Sequence, residues 1–165
     1  MLQTARLALV PMTAADLDPL VAIYNEPGVR RYLWDDQPVT REQALGVVQA
    51  SVALFRDYGF GLFTIWKDGV PLGCCGLRFW ADTDEIELLY CVSERWWNQG
   101  IATEAARECL RYGLYGLKLD RVVAFANPAN EASWRVLEKI GMRFERAVTH
   151  NNEPLKRYSV KRNPS

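Results

Sequence analysis

The sequence is short of the residues that metal and disulfide sites need. It has one histidine, His150, and four cysteines, none of them in a C-x-x-C pair. A structural zinc site takes about four ligands at characteristic spacings, so we expect no metal. Cys74, Cys75, Cys91 and Cys109 lie in apolar segments. They are predicted to be reduced, buried residues of a cytoplasmic protein, with a catalytic cysteine as the less favoured alternative.

The chain also lacks a charge excess and a long apolar run. Lys plus Arg and Asp plus Glu both number 20, so the balance gives no reason to expect nucleic acid or an anionic membrane as a partner. No apolar stretch approaches the ~20 residues that span a bilayer. With 165 residues, 49% of them hydrophobic and 24% charged, the composition is typical of a single folded domain over 1–165.

Apolar periodicity predicts a mixed α/β chain in the order β-α-α-β-β-β-α-β-α-β-β. Residues 40–43 form a capping-box sequence, which predicts a helix start. Asp-Gly at 68–69, between two β-rich runs, is a strong hairpin signal. Residues 29–38 are aromatic and charged without a clean period and are predicted to form a loop. Residues 85–92 are mostly apolar, which predicts a central strand.

A strand-to-helix connection follows this central strand. Residues 97–105 have the sequence Trp-Asn-Gln-Gly-Ile-Ala-Thr-Glu-Ala. A helix N-terminus exposes unpaired N–H groups that suit phosphate oxygens; Gly100 and Ala102 would let the backbone approach a ligand, and Thr103 adds a hydroxyl. The segment matches neither common nucleotide-binding glycine motif. Taken alone, it is equally consistent with a tight connection that needs glycine for backbone reasons.

Three separated segments together resemble the GNAT superfamily of N-acetyltransferases, and in particular its RimJ/RimL type. Residues 87–105 resemble the acetyl-CoA-binding core with its W-G-x-G-x-A-T-E-A pattern. Residues 130–142 resemble the family's N-x-x-S and L-E-K-x-G-F segment, and residues 4–11 resemble its T-x-R-L-x-L-R-P start. The resemblance implies a central, mostly antiparallel sheet of about seven strands, splayed in the middle and flanked by about four helices.

The sequence departs from the family pattern in ways that bear on the acceptor more than on the cofactor. Asn98 replaces the first glycine of the loop, and asparagine tolerates left-handed backbone better than most residues. Leu89 replaces a glycine in the central strand. Its bulk would narrow the acyl or acceptor channel.

The resemblance implies acetyl transfer from acetyl-CoA to a primary amine, by direct attack in a ternary complex. Strand residues Tyr90, Cys91 and Val92 would bind the pantetheine arm, with a backbone N–H near Cys91 or Val92 as the oxyanion donor. Asn130 would contact the pantetheine or cap its helix. The residues expected to hold the diphosphate are Asn98, Gln99, Gly100, Ile101, Ala102 and Thr103.

Glu87 is the candidate base and Ser133 the candidate acid. An amine with a pKa of about 8 to 10.4 must lose a proton, and a leaving thiolate benefits from gaining one. The alternative for Glu87 is a carboxylate paired across the sheet, and for Ser133 it is capping of its helix. Tyr90 is a second candidate acid, although an aromatic residue in a central strand more often belongs to the core.

Tyr32, Trp34 and Leu89 are the candidates for binding the acceptor. Asp35 and Asp36 would attract a cationic amine, and the alternative is an ordinary solvated loop. The acceptor is expected to be a protein N-terminus or a small molecule, and the assembly a monomer or homodimer. A second hypothesis is a non-catalytic acyl-CoA-binding or sensory module on the same fold. A purely structural domain is disfavoured by the three matching segments.

Overall fold

One eight-stranded sheet runs through the computed structural model, which describes residues 1–164. The strands are β1 Leu2–Gln3, β2 Ala8–Pro11, β3 Leu62–Lys67, β4 Val70–Phe79, β5 Ile86–Val92, β6 Arg121–Ala126, β7 Arg143–His150 and β8 Glu153–Lys161. The helices are α1 Leu17–Tyr24, α2 Pro27–Leu33, α3 Arg41–Tyr58, α4 Ile101–Arg111 and α5 Glu131–Lys139. None of these described helices is both long and apolar enough to cross a membrane.

The strand order is β1-β2-β3-β4-β5-β6-β8-β7, and only β5 and β6 are parallel neighbours. These two strands separate soon after they meet. Their register contains one residue pair, Glu87 opposite Val123, although both strands continue beyond it. Each keeps its outer neighbour, β4 for β5 and β8 for β6. The predicted mostly antiparallel, splayed sheet is therefore confirmed, with one short strand and one helix more than expected.

Helices cover both faces of the sheet, and each face has its own hydrophobic core. On one face, α4 and α5 pack over β5 and β6 through small or apolar side chains: Ala105, Ala106, Cys109, Leu137, Leu88 and Val122. On the other face, α1, α2 and α3 pack over β4 and β5: Leu20, Tyr24, Val29, Val48, Cys74 and Cys91. All four cysteines are free and buried, as predicted.

Two local signals in the sequence are confirmed at atomic detail. At the start of α3 the backbone N–H of Gln43 donates to Thr40 Oγ1 at 3.1 Å, and the Gln43 side chain accepts from the Thr40 N–H at 2.9 Å. Between β3 and β4, Asp68 and Gly69 have φ angles of 50° and 77°. Two consecutive left-handed residues make the turn whose twist matches antiparallel strands.

The prediction of a loop over residues 29–38 is wrong for its first half, because α2 extends to Leu33. Pro27 occupies the first turn of α2, where its missing N–H has no helical partner to lose. This helix has seven residues, so packing of Val29 into the core and contacts with the β5–α4 connection must stabilise it.

Candidate active site

The edge of β5 that faces the gap presents free backbone groups. The Ser93 N–H donates to the β4 backbone at 2.7 Å. Because backbone groups of alternate residues point to opposite edges of a strand, those of Cys91 also point to β4, and those of Tyr90 and Val92 point to the gap. The Val92 carbonyl already accepts from Trp97 Nε1 at 2.7 Å. Of the two backbone donors expected from the sequence, Val92 therefore faces the gap and Cys91 does not.

The loop after β5 ends in an uncapped helix N-terminus. Asn98 and Gly100 have φ angles of 60° and 75°, so asparagine keeps the left-handed turn that a glycine would make. The first α4 hydrogen bond runs from the Glu104 N–H to the Gly100 carbonyl at 3.0 Å. The N–H groups of residues 101–103 thus have no helical acceptor, and no side chain caps the helix. Three donors are available to an anion at this position.

The N-terminal segment is hydrogen-bonded to this loop and to the start of α4. Arg6 donates from Nη1 to the Gln99 carbonyl at 2.9 Å and from Nε to Glu104 at 2.6 Å, and the Thr4 hydroxyl also donates to Glu104, at 2.5 Å. Burial acts to raise the pKa of Glu104, but the hydrogen bonds from Thr4 and Arg6 outweigh it and lower that pKa. Sequence reasoning missed this contact, although both partners lie in motifs that it had singled out.

The start of helix α2 is also hydrogen-bonded to the connection between β5 and α4. Glu26 accepts from the Ser93 hydroxyl at 2.8 Å and from the Glu94 N–H at 2.7 Å. The Gly28 N–H donates in turn to the Glu94 carboxylate. A Cβ at Gly28 would overlap the Trp97 ring, so glycine is what lets the helix lie against it. Helix α2 and the connection between β5 and α4 are therefore in direct contact.

Glu87 is buried, with 4% of its surface exposed. Its Oε1 accepts from Arg78 Nε, directly across the strand pair, at 2.6 Å. Burial raises the pKa of Glu87, and the positive charge of Arg78 opposes that shift. Among residues 1–164 the second oxygen, Oε2, has no hydrogen-bond partner, yet it is not one of the fully buried unpaired atoms. The cross-sheet pair is present, and one carboxylate oxygen stays free.

Ser133 lies in the first turn of α5, against Tyr90. The Tyr90 hydroxyl donates to the Ser133 carbonyl at 2.7 Å and lies 3.2 Å from its Oγ. Burial raises the pKa of Tyr90, so this phenol remains protonated. Asn130 occupies the N-cap position of α5, but its side chain makes no capping hydrogen bond. Two hydroxyl groups thus meet beside the gap, and the Asn130 amide is not used as a cap.

Glu87 and Ser133 are not brought together on one face. Successive side chains of a strand point to opposite faces. Tyr90 packs against the core under α4 and α5, whereas Leu89 packs against the core under α1, α2 and α3. Glu87 shares the face of Leu89, so the sheet separates it from the Tyr90 and Ser133 hydroxyls.

The acceptor residues predicted from the sequence are only partly assembled. Trp34 and Leu89 border the same core, and the Trp34 ring lies 5.2 Å from that of Tyr24. The Trp34 Nε1 is buried without a partner among the described residues. Tyr32 lies on α2 beneath the Arg31 guanidinium, 5.5 Å from its ring centre. The structure therefore groups Trp34 with Leu89, while Tyr32 has a separate contact.

Aromatic side chains that sequence reasoning missed lie on the same face of the sheet as Glu87. The Trp80 ring stacks on Phe125 at 3.8 Å and lies 4.6 Å from His150. The charge of His150, like that of Arg78, opposes the rise in the pKa of Glu87. These residues come from a turn, a central strand and the end of β7, so no local pattern could have grouped them.

Comparison with known proteins agrees with this geometry. A family model described as an acetyltransferase (GNAT) domain matches residues 6–143. The chain is 32% identical over 167 residues to the uncharacterized protein YkkB of Bacillus subtilis (strain 168), covering 97% of this chain and 95% of that protein. It is 31% identical over 150 residues to the FsC-acetyl coenzyme A-N(2)-transacetylase of Aspergillus fumigatus, covering 86% and 64%. The crystal structure of the acetyltransferase from Agrobacterium tumefaciens str. C58 matches with a TM-score of 0.85 and 25% identity, covering 96% and 92%.

Proposed function

The chain belongs to the GNAT acetyltransferase family, and from that membership we propose that it moves the acetyl group of acetyl-CoA to a primary amine by direct attack in a ternary complex. Family members are acyltransferases that use acetyl-CoA and act on amines. The observation that carries the proposal is the gap between β5 and β6, which leads to the uncapped N-terminus of α4.

The residues around the gap fit acetyl-CoA. The three free N–H groups of residues 101–103 suit the diphosphate oxygens. The left-handed turn at Asn98 and Gly100 leaves these N–H groups accessible. The gap-facing backbone groups of Tyr90 and Val92 suit the amide groups of the pantetheine arm, as an added strand would. The Val92 N–H is then the donor for the negative charge that develops on the thioester oxygen.

Proton transfers are divided between the two faces of the sheet. The free Oε2 of Glu87 accepts the proton of the acceptor ammonium, directly or through water. Its burial raises the pKa of Glu87, which brings a carboxylate closer in proton affinity to the amine. On the opposite face, the Ser133 hydroxyl is the donor to the leaving thiolate, and Tyr90 is the alternative donor at 3.2 Å from it. The proposed base and acid thus lie on opposite faces of the sheet.

Two measurements test the proposal. Acetyl-CoA is expected to raise the melting temperature, because a ligand that binds only the folded state stabilises it, and calorimetry is expected to find a binding site. Thiol release with a panel of amines, including peptides with free N-termini, is then expected to identify at least one acceptor. No thermal shift together with no binding would overturn both the cofactor and the reaction.

The alternative, a non-catalytic acyl-CoA-binding or sensory module, would bind acetyl-CoA but release no thiol with any amine. No observation favours it: Glu87 keeps a free oxygen, and two hydroxyl groups meet at the gap. Binding without turnover across the whole amine panel is the result that would support it.

We further propose a cytoplasmic enzyme of the RimJ/RimL type that acts as a monomer or homodimer. The motif at residues 97–105 supports the subgroup, and its acceptors range from protein N-termini to small molecules. No part of the proposed reaction calls for a metal, a nucleic acid or a membrane.

A further inference from the structure

We infer that the acceptor is a free α-amino acid, whose ammonium and carboxylate groups are bound together by Glu87 and Arg78. The inference rests on the proposed acetyltransferase function and names the chemical class of its acceptor. Glu87, the candidate base, forms an ion pair with Arg78, and most N–H donors of Arg78 have no hydrogen-bond partner among the described residues.

Arg78 has most of its hydrogen-bonding capacity free. A guanidinium carries five N–H donors in a planar arrangement. Only Nε is engaged, by Glu87, and among residues 1–164 neither Nη1 nor Nη2 has a hydrogen-bond partner. The side chain is 45% exposed, against 6% for that of Glu87. A planar guanidinium with both terminal amino groups open is suited to bind a carboxylate with two parallel hydrogen bonds.

Arg78 also lies near the residues to which the sequence assigned the acceptor, since it is two residues from Gly76, the strand partner of Leu89. Cys74 and Arg78 lie at alternate positions of β4 and so point to the same face of the sheet, and the Tyr24 hydroxyl lies 3.8 Å from Cys74 Sγ on that face. The Tyr24 ring packs against Trp34, and Trp34 shares its core with Leu89. Arg78 therefore contacts the candidate base and shares its face of the sheet with the candidate acceptor residues Trp34 and Leu89.

The two free groups are complementary to a zwitterion. Glu87 offers a carboxylate oxygen, Oε2, and Arg78 offers N–H donors, and the two side chains are in contact at 2.6 Å. A free α-amino acid carries its ammonium and its carboxylate on one carbon, so each charge can meet its opposite in the pair. A peptide N-terminus has a neutral amide in place of that carboxylate, so it gains no charge-assisted hydrogen bonds from the guanidinium.

Matched acceptors test the inference. For amino acids that react, kcat/KM is compared between the free acid and its α-amide, which has nearly the same shape but no carboxylate charge. We expect the free acid to be favoured by about tenfold or more, the range of a hydrogen bond to a charged group. Equal values, or a preference for the amide or for peptide N-termini, would overturn the inference.

Two variants separate carboxylate binding from an indirect effect through Glu87. Removing the charge in Arg78→Met would change the protonation of Glu87 and slow the reaction of every amine. The ratio between acid and amide removes this common factor. We expect the ratio to fall to about one in Arg78→Met and to recover in part in Arg78→Lys, which keeps the charge but not the planar geometry. An unchanged ratio in Arg78→Met would overturn the inference.

Equilibrium binding gives a readout that does not need turnover. With CoA present, calorimetry compares the dissociation constants of the acid and of the amide, and the wild-type protein is expected to bind the acid more tightly. Equal binding overturns the amino-acid acceptor alone, whereas acetyl transfer to any other amine leaves the proposed function standing. Failure of acetyl-CoA to bind overturns the function itself, so the two failures are distinguishable.

Discussion

The proposed cofactor site and the proposed acceptor site use different kinds of group: backbone N–H groups in the first and side chains in the second. The cofactor side consists of backbone: three N–H groups at the start of α4, two left-handed residues before them and the free edge of β5. The proposed acceptor side consists of side chains from five separate elements: Arg78, Trp80, Glu87, Phe125 and His150. A backbone site needs only a few residue types, such as glycine and asparagine, that permit one local conformation.

The difference explains how specificity can vary while the cofactor stays the same. Backbone donors suit any CoA ester, because the diphosphate and the pantetheine arm are shared by all of them. Side chains around Glu87 can change one by one without altering the turn at Asn98 and Gly100. We therefore expect variants on the acceptor side to alter turnover, and variants on the cofactor side to alter affinity for acetyl-CoA.

The largest effect is expected from Glu87→Gln on the acceptor side. It removes the proton acceptor while keeping the size of the side chain, so kcat should fall by about 100-fold or more with little change in the dissociation constant for acetyl-CoA. Steady-state kinetics and calorimetry measure the two quantities. Glu85→Gln, two residues earlier on the same face, is the control and should keep its kcat. A variant at position 87 that retains the full rate between about pH 6 and 9 would rule out Glu87 as the base.

Gly100→Val tests the cofactor side. A β-branched residue at a φ of 75° is strained by about 1–2 kcal/mol and displaces the turn in front of the free N–H groups. The dissociation constant for acetyl-CoA should rise by about tenfold or more. Gly59→Val is the matched control, since Gly59 has a φ of 79° at the end of α3. It should lower the melting temperature similarly without weakening acetyl-CoA binding; equal loss of affinity in both variants would contradict the assignment.

The difference between local contacts and contacts between distant residues also explains what could be predicted from the sequence. The turn at 68–69, the start of α3 and the loop at 97–105 depend on neighbours in the chain, and all three were predicted in the right place. The partners of Glu87 and Glu104 could not be predicted, because Arg78 and Arg6 meet them only after the sheet has formed. Helix α2 was missed because its seven residues have no clean apolar period and depend on contacts with Glu94 and the core.

Ser133→Ala and Tyr90→Phe compare the two hydroxyl groups on the cofactor face. If Ser133 protonates the thiolate, its alanine variant should lower kcat by about tenfold, while Tyr90→Phe, which loses the hydrogen bond to the Ser133 carbonyl, should have a smaller effect. Single-turnover kinetics measures the chemical step directly. The opposite order of effects would assign the acid to Tyr90.

Glu104→Gln tests the contact between the N-terminal segment and the loop. Its carboxylate accepts from Thr4 and from Arg6, whose side chain is 43% exposed, so solvent screening limits the stability loss to about 1 kcal/mol. Acetyl-CoA affinity should fall only a few-fold, because the N–H donors remain in place. Glu108→Gln, on the same helix and paired with Arg111, is the control. A loss of affinity as large as in Gly100→Val would mean that this contact, rather than the backbone turn, positions the site.

The smallest effect concerns Glu145, which lies on β7. Hydrogen bonds from Ser159 and then Arg157 lower its pKa to about 2, below the value of about 4.3 in an unfolded chain. Its contribution to stability is therefore full above about pH 5 and is lost as the pH falls through about 2. Glu145→Gln should lower the melting temperature near neutral pH and differ little from the wild type near pH 2. A temperature difference independent of pH would contradict the lowered pKa. Acetyl-CoA binding should be unchanged in Glu145→Gln, because its hydrogen-bond partners Arg121, Arg157 and Ser159 lie outside the 97–105 loop.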